Sequence, residues 1–155
     1  MSLEIERKFL VKGDFKPFVA CTVNIVQAYL CVSEQMTVRV RIKGDKAFVT
    51  IKGASDANGF SRHEFEYGIP VTDAEELLQM SPYPAIEKER HLVPCKNHIF
   101  EIDVFHGINE GVVLAELELQ SENEAYEKPA WLGEEVTGDK RYYNAFMAVQ
   151  SASRS

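Results

Sequence analysis

The strongest constraint on the fold is an alternation of charged and apolar residues that recurs in short segments of the chain. In TVRVRIK (37–43), FEIDVF (100–105) and AELEL (115–119), charged and apolar side chains take turns. A period of two is the pattern of a β-strand, because successive side chains point to opposite faces of a sheet. Turn-forming residues separate the segments, so consecutive strands are expected to pair antiparallel.

The pattern predicts a mainly β (α+β) fold, an eight-stranded antiparallel β-barrel with a few flanking helices, as one domain over 1–155. Few helices and many short strands favour closure, which removes exposed strand edges. We expect a tight turn at 43–46 with Gly44 at positive φ, and a longer loop at 55–60. The predicted strands are 3–11, 25–32, 37–43, 46–53, 61–69, 84–93, 98–106 and 112–120. The predicted helices are 71–80, capped by Asp73, and 144–150, with a turn of helix at 122–127.

Composition excludes several classes of protein. No apolar run approaches the roughly 20 residues that cross a bilayer, and no basic start precedes an apolar stretch as in a signal peptide. The three cysteines lack C-x-x-C spacing, which argues against a zinc site or a disulfide framework and favours the cytoplasm. A net charge of −7 opposes nucleic-acid binding through the general surface, so we expect no nucleic acid and no membrane partner.

The charged faces of the strands have two readings. They are either the solvated outside of a sheet or the lining of a lumen. Basic residues gather on some strands, such as Arg39 and Arg41, and acidic pairs on others, such as Glu116 and Glu118. A surface built for solubility mixes the two signs, whereas like charges two residues apart require counter-ions. The set therefore favours a charged lumen that holds a metal ion and a polyanion together.

This combination has a chemical logic. Paired carboxylates are hard oxygen ligands suited to Mg²⁺ or Mn²⁺. Arginine recognises phosphate through its planar fork, and lysine acts as a point charge. A tunnel that carries both would hold a linear polyphosphate while metal ions offset the charge of the carboxylates.

The motifs along the chain resemble those of the CYTH superfamily, the triphosphate tunnel metalloenzymes. They are E-x-E-x-K at the amino terminus, R-V-R, T-x-K, E-K-x-R, E-x-D-x-F, E-x-E and the final GEEVTGDKRYYN. They occur in this order over nearly the whole chain. The short length and the WLGEEVT…DKRY ending resemble the small bacterial branch, whose members are typically inorganic triphosphatases. The resemblance also implies an eight-stranded antiparallel tunnel.

Roles for individual residues follow from this resemblance. It implies that the metal-binding carboxylates are Glu4, Glu6, Asp103, Glu116 and Glu118. It implies that the triphosphate-binding bases are Lys8, Arg39, Arg41, Lys52, Arg90 and Lys140, to which we add Arg62 and Lys88. Glu64 and Glu101 either orient these bases or serve only as ion-pair partners.

Tyr29 and Lys8 are the expected catalytic residues for handling a proton. Tyr29 lies in a Y-L pair that this branch carries on its second strand, and strand parity would place Cys31 on the same side. Free tyrosine and lysine titrate near 10 and 10.4, so activation of water by either group implies a perturbed group or an alkaline optimum. The competing interpretation is a tyrosine that only donates a hydrogen bond.

The function expected from the sequence is metal-dependent hydrolysis of inorganic tripolyphosphate to pyrophosphate and phosphate, by a monomer or homodimer acting on a small molecule. The alternatives within the enzymes are a nucleoside or thiamine triphosphatase and a class IV adenylyl cyclase. A polyphosphate-binding module without turnover is the alternative from another class. The intact set of carboxylates argues against that module, because binding a polyanion gains nothing from them.

Overall fold

The structure is a computed structural model that describes residues 2–57 and 61–154. It contains nine strands and two α-helices within these ranges, together with three short 3-10 turns. The strands are β1 (Ser2–Val11), β2 (Cys21–Val32), β3 (Met36–Lys43), β4 (Lys46–Gly53), β5 (Ser61–Ile69), β6 (Ile86–Cys95), β7 (His98–Phe105), β8 (Val113–Leu119) and β9 (Leu132–Glu135). The helices are α1 (Val71–Met80) and α2 (Asn144–Arg154).

Eight of the strands close into an antiparallel barrel, which confirms the predicted fold. The order is β5-β4-β3-β2-β6-β7-β8-β1, and β1 also pairs with β5, so the sheet returns on itself. At the seam, Glu4 lies opposite Arg62 on one side of β1, and Glu6 lies opposite Glu118 on the other. Strand β9 continues from β1 outside this ring, where Phe9 pairs with Glu135. This four-residue strand was not predicted, since it is too short to show alternation.

Several boundaries differ from the sequence expectations. Strand β2 begins at Cys21, four residues before the predicted start at 25, and β6 ends at Cys95 instead of 93. Pro70 takes the N-cap position of α1, and Asp73 lies in its first turn without a capping hydrogen bond. The segment 122–127 forms a turn followed by irregular chain rather than helix. Of the predicted loop at 55–60, residues 58–60 lie outside the described part of the chain.

The large apolar cores of this protein lie on the outer surface of the barrel and not in its interior. One core packs the outer faces of β1, β6, β7 and β8 against the segments around Phe15 and Trp131. Another packs Ala28, Val40 and Ala47 of β2–β4 against Ala74 of α1. The apolar side of every amphipathic strand must be covered, and here helices and loops cover it from outside. The charged sides consequently face inward.

Helix α2 lies at one end of the barrel interior. Its Met147 and Ala148 pack against Ile86, Phe105 and Leu114, which share the inward parity of their strands. An apolar contact therefore fixes α2 at the point where the charged lining stops. None of the helices in the described residues is long and apolar enough to cross a membrane.

A β-bulge changes the side-chain parity of β2. Tyr29 lies opposite Arg39, but Cys31 lies opposite Val38, so the stretch carries one extra residue. Two residues on a bulged strand face one on its partner, and the next side chain turns to the other face. The predicted placement of Cys31 beside Tyr29 is therefore wrong: Cys31 is exposed, while Tyr29 is buried.

A charged cavity inside the barrel as the candidate active site

The barrel interior holds a cavity of about 210 Å³ whose lining is mostly charged. Among the described residues, seven acidic and seven basic side chains face it. The acidic ones are Glu4, Glu6, Glu64, Glu66, Glu101, Glu116 and Glu118. The basic ones are Lys8, Arg39, Arg41, Lys52, Arg62, Lys88 and Arg90. Formal charge is thus balanced over the lining, and each sign is concentrated on certain strands: the bases on β3 and β6, and the carboxylates on β1 and β8.

Strands β3 and β6 form the most basic wall. The Nε of Arg39 is buried without a hydrogen-bond partner in the described chain, while its Nη2 donates to Thr50 Oγ1 at 3.3 Å. Burial, together with the neighbouring Arg39 and Arg90, lowers the pKa of Arg41 to about 9. An unsatisfied guanidinium donor and repulsion among cations both indicate that this wall is arranged to receive an anion.

Asp103 lies behind this wall rather than in it. The carboxylate has no solvent exposure and binds Lys88 Nζ at 2.7 Å and Arg90 Nε at 2.8 Å. Burial opposes ionisation of Asp103, but the two bases outweigh it and lower its pKa. Burial also lowers the pKa of Lys88 to about 7, although Asp103 acts in the opposite direction. Both carboxylate oxygens are engaged, so Asp103 holds Lys88 and Arg90 in place.

Strands β1 and β8 form the acidic wall. Glu6 lies opposite Glu118, and Lys8 lies opposite Glu116, in the register of the two strands. Burial, together with the charges of Glu116 and Glu4, raises the pKa of Glu6 to about 8. Burial and the charge of Glu4 also raise the pKa of Glu118. Glu6 and Glu118 therefore lie among like charges. Glu116 differs, because Lys8 and Arg90 outweigh the effect of burial and hold its pKa well below its ordinary value.

The donor set of the acidic wall fits a divalent cation. Glu6 and Glu118 form no ion pair or hydrogen bond with any described residue, and hard carboxylate oxygens are preferred by Mg²⁺ and Mn²⁺. A cation placed between them would relieve the repulsion that raises the pKa of Glu6. Within residues 2–57 and 61–154 no three acidic, histidine or cysteine side chains already surround one ion position. Binding a cation therefore requires these flexible side chains to turn toward each other.

Glu4 bridges the acidic wall and the bases of β4 and β5. Lys52 Nζ donates to it at 2.9 Å, and Arg62 Nε lies at 3.5 Å. Burial works against ionisation, but these two bases outweigh it and lower the pKa of Glu4. Glu64 lies 3.5 Å from Lys52, and Glu101 lies 3.3 Å from Arg90. Both glutamates thus contact bases that line the cavity, which agrees with either expected role, orientation of the bases or ion pairing alone.

Lys8 connects the acidic wall to the carboxy-terminal segment. Its Nζ donates to the backbone oxygen of Tyr142 at 2.9 Å and lies 3.5 Å from Glu116. The same ammonium lies 5.5 Å from the centre of the Tyr143 ring. Burial opposes the charged form of Lys8, but Glu116 and Glu6 outweigh it and raise its pKa. Lys8 therefore keeps its proton at neutral pH.

The structure brings together twelve of the fourteen site residues expected from the sequence. The two outside the lining are Asp103, described above, and Lys140, which is exposed and lines a separate cavity at the barrel mouth with Arg62 and Tyr143. Sequence reasoning assigned no role to Tyr143 and Asn144, which also line the charged cavity. Both belong to the GDKRYYN motif, so the signal was present, but no alternation marked which side chain points inward.

Comparison with known proteins agrees with this architecture. The CYTH domain model matches residues 2–144. A protein named inorganic triphosphatase from Acetivibrio thermocellus is 45% identical over 146 residues, covering 94% of this chain and 92% of the relative. One of the same name from Nitrosomonas europaea is 38% identical over 150 residues, covering 94% and 97%. A crystal structure of an inorganic triphosphatase superposes with a TM-score of 0.70 at 35% identity, covering 96% of each chain. With the family model spanning most of its length, the chain belongs to the CYTH domain family.

Proposed function

We propose that the protein is a metal-dependent hydrolase that cleaves inorganic tripolyphosphate to pyrophosphate and phosphate. The observation that carries the proposal is one cavity in which the bases of β3 and β6 crowd together, with Arg39 Nε unpartnered in the described chain, while Glu6 and Glu118 lie opposite each other on β1 and β8. The lining is balanced in formal charge, so a triphosphate that entered alone would leave the cavity strongly negative. Binding the anion together with divalent cations restores neutrality. Two relatives that share most of the chain are named inorganic triphosphatases.

The bases of the cavity bind and orient the phosphates. Arg39 and Arg41 on β3 offer planar forks to phosphate oxygens, and Arg39 has a free Nε–H for this purpose. Lys88 and Arg90 approach from β6 and are held there by Asp103. When the bond to the terminal phosphoryl group breaks, charge grows on the departing pyrophosphate. The arginine and lysine side chains are already in position, so they stabilise that charge without rearranging.

The acidic wall is the proposed metal site. Glu6, Glu116 and Glu118 supply oxygen ligands, and Glu4 joins them from its contacts with Lys52 and Arg62. A bound Mg²⁺ or Mn²⁺ would supply Lewis acidity toward phosphate oxygens and acidify a bound water. We assign Asp103 to support of the bases instead of metal binding, because its oxygens are already engaged by Lys88 and Arg90.

The test of this proposal is a substrate panel. Phosphate release is measured from tripolyphosphate, ATP and thiamine triphosphate, with Mg²⁺ or Mn²⁺ and with EDTA, and cyclic AMP is assayed in parallel. We expect tripolyphosphate to be hydrolysed fastest and EDTA to abolish turnover. Met36, Tyr83 and Phe146 line the mouth cavity beside Arg62 and offer apolar contacts to an organic group. A faster reaction with ATP or thiamine triphosphate would therefore identify an organic triphosphatase, the second candidate function. Tight binding of tripolyphosphate without any turnover would identify a binding module instead.

Tyr29 is the proposed proton-handling residue. It lines the cavity, and its charge when ionised would favour the cationic forms of Lys8, Arg41 and Arg62, which places it among these bases. Lys8 is excluded as a proton acceptor near neutral pH because Glu116 and Glu6 raise its pKa. In addition, burial and the charges of Glu116 and Glu4 raise the pKa of Glu6 to about 8 in the cation-free protein, so its metal-binding carboxylate form increases as pH rises toward that value. Both facts support activity that rises on the alkaline side of neutrality.

Replacing Tyr29 with phenylalanine should therefore lower kcat by about a hundredfold and change KM little, because the hydroxyl handles a proton and not the phosphate charge. The measurement is a pH–rate series from pH 6 to 10 at saturating metal and tripolyphosphate. Tyr67→Phe makes the same chemical change on the exposed face of β5 and is the control. A neutral or acidic optimum that is identical in wild type and Tyr29→Phe would leave water activation to the metal.

The remaining features of the proposal concern compartment and partners. Cys21, Cys31 and Cys95 are all free thiols. This agrees with a reducing compartment, and we propose the cytoplasm. The partner is the small-molecule triphosphate with its Mg²⁺ or Mn²⁺, and no nucleic acid is expected at a net charge of −7.

A further inference from the structure

A buried amide network connects helix α2 to the basic wall. Asn144, the first residue of α2, is buried, and its Oδ1 accepts hydrogen bonds from Gln27 Nε2 and from Lys88 Nζ, both at 2.8 Å. Gln27 has no solvent exposure, and its Oε1 accepts from Arg41 Nε at 3.0 Å. Two of the bases that face the cavity are therefore held through one asparagine that does not belong to the barrel strands.

The chemistry of the donors fixes the direction of every amide in this network. Arginine can only donate, so Gln27 must turn its oxygen to Arg41 and its NH₂ group to Asn144. Asn144 must then present its oxygen to Gln27, which is also what the Lys88 amine requires. The NH₂ group of Asn144 has no partner in the described residues, and Asn144 lines the charged cavity. With the oxygen committed to the wall, this NH₂ group is the half of the amide that faces the cavity.

We propose that Asn144 is a substrate-binding residue, whose NH₂ group donates to a phosphate oxygen while its Oδ1 positions Lys88 directly and Arg41 through Gln27. The proposal rests on the proposed triphosphatase function. A neutral donor suits this position, because it adds a hydrogen bond to phosphate without disturbing the charge balance of the lining. The apolar contacts of Met147 and Ala148 fix the position of α2 in the barrel end, and with it the position of the Asn144 side-chain amide.

Aspartate at position 144 separates the two roles. Asn144→Asp has the same shape and keeps an acceptor for Gln27 and Lys88, but it replaces the NH₂ group with a second oxygen. We expect KM for tripolyphosphate with Mg²⁺ to rise about tenfold to a hundredfold, as for a lost hydrogen bond to a charged group, with a melting temperature near that of wild type. Asn144→Ala loses the donor and the acceptor, so KM should rise and kcat should also fall because Lys88 and Arg41 lose their anchor. Gln150→Ala, an exposed change on α2, is the control.

The outcomes separate this inference from the proposed function. Asn144→Asp also adds a negative charge beside the bound anion, so Thr37→Asp, which adds the same charge to the cavity lining, is its charge-matched control. A KM that rises no more in Asn144→Asp than in Thr37→Asp would overturn the inference. If Asn144→Ala does not fold, this pair of aspartate variants decides, because Asn144→Asp keeps an acceptor for Gln27 and Lys88. A wild-type protein that releases no phosphate from any triphosphate would overturn the proposed function, independently of these comparisons.

Discussion

Glu6→Gln is expected to stabilise the protein and to abolish its activity. Glutamine has the same shape but carries no charge, so the metal site loses a carboxylate ligand and the acidic wall loses a repulsive charge. Replacing a residue that hydrogen-bonds to a metal ligand commonly lowers activity about 10–100-fold. Loss of a direct ligand should therefore lower activity about a hundredfold or more. Phosphate release at saturating Mg²⁺ and calorimetric Mg²⁺ affinity measure this loss. Glu87→Gln, on the exposed side of β6, is the control.

The stability effect has a defined pH dependence. Burial and the neighbouring Glu116 and Glu4 raise the pKa of Glu6 to about 8 in the folded state, above its ordinary value of 4.5. The unfolded chain releases this proton at lower pH than the folded protein, so Glu6 lowers stability progressively as pH rises from about 4.5 to about 8. In EDTA, the melting temperature of Glu6→Gln should match wild type at pH 4.5 and exceed it at pH 8.5. Equal melting curves at pH 8.5 would show that Glu6 is not enclosed among carboxylates.

Arg39→Ala is expected to raise KM for tripolyphosphate by roughly tenfold to a hundredfold, the value of one or more hydrogen bonds between charged groups. Arg39 offers a buried Nε–H without a partner in the described chain, so its removal deletes an unused donor and should cost little stability. The KM of Arg39→Lys should lie between the values of wild type and Arg39→Ala, because lysine keeps the charge but loses the planar fork. Initial rates over a range of tripolyphosphate concentrations give KM and kcat for each variant.

The control for this series is Arg141→Ala. Arg141 is exposed and pairs with Asp139, so its loss removes the same charge outside the barrel. If Arg39→Ala and Arg141→Ala raised KM equally, only the overall charge of the protein would matter. Unchanged tripolyphosphate affinity in Arg39→Ala would contradict the assignment of β3 as a phosphate-binding strand.

What the sequence could determine follows from the period of a strand. The alternation states which residues share a face, so it predicted the eight strands and grouped Arg39 with Arg41 and Glu116 with Glu118. Alternation does not state which face turns inward when the sheet closes. The separation of basic and acidic strands favoured a charged lumen, and the family motifs agreed. The structure supplies the physical basis: the segments around Phe15 and Trp131 and helix α1 cover the apolar faces from outside. Polar faces can then line the interior.

The tertiary structure alone decided contacts that depend on depth, register and chain ends. Asp103 has the same parity as its inward-facing neighbours, yet Lys88 and Arg90 occupy its carboxylate oxygens. Alternation predicts the face on which a side chain lies, but not the contacts that it makes there. One extra residue in β2 separates Cys31 from Tyr29. Asn144 reaches Lys88 across 56 positions only because α2 docks at the barrel end. Local patterns fix the faces of strands, whereas contacts between distant segments are fixed only by packing.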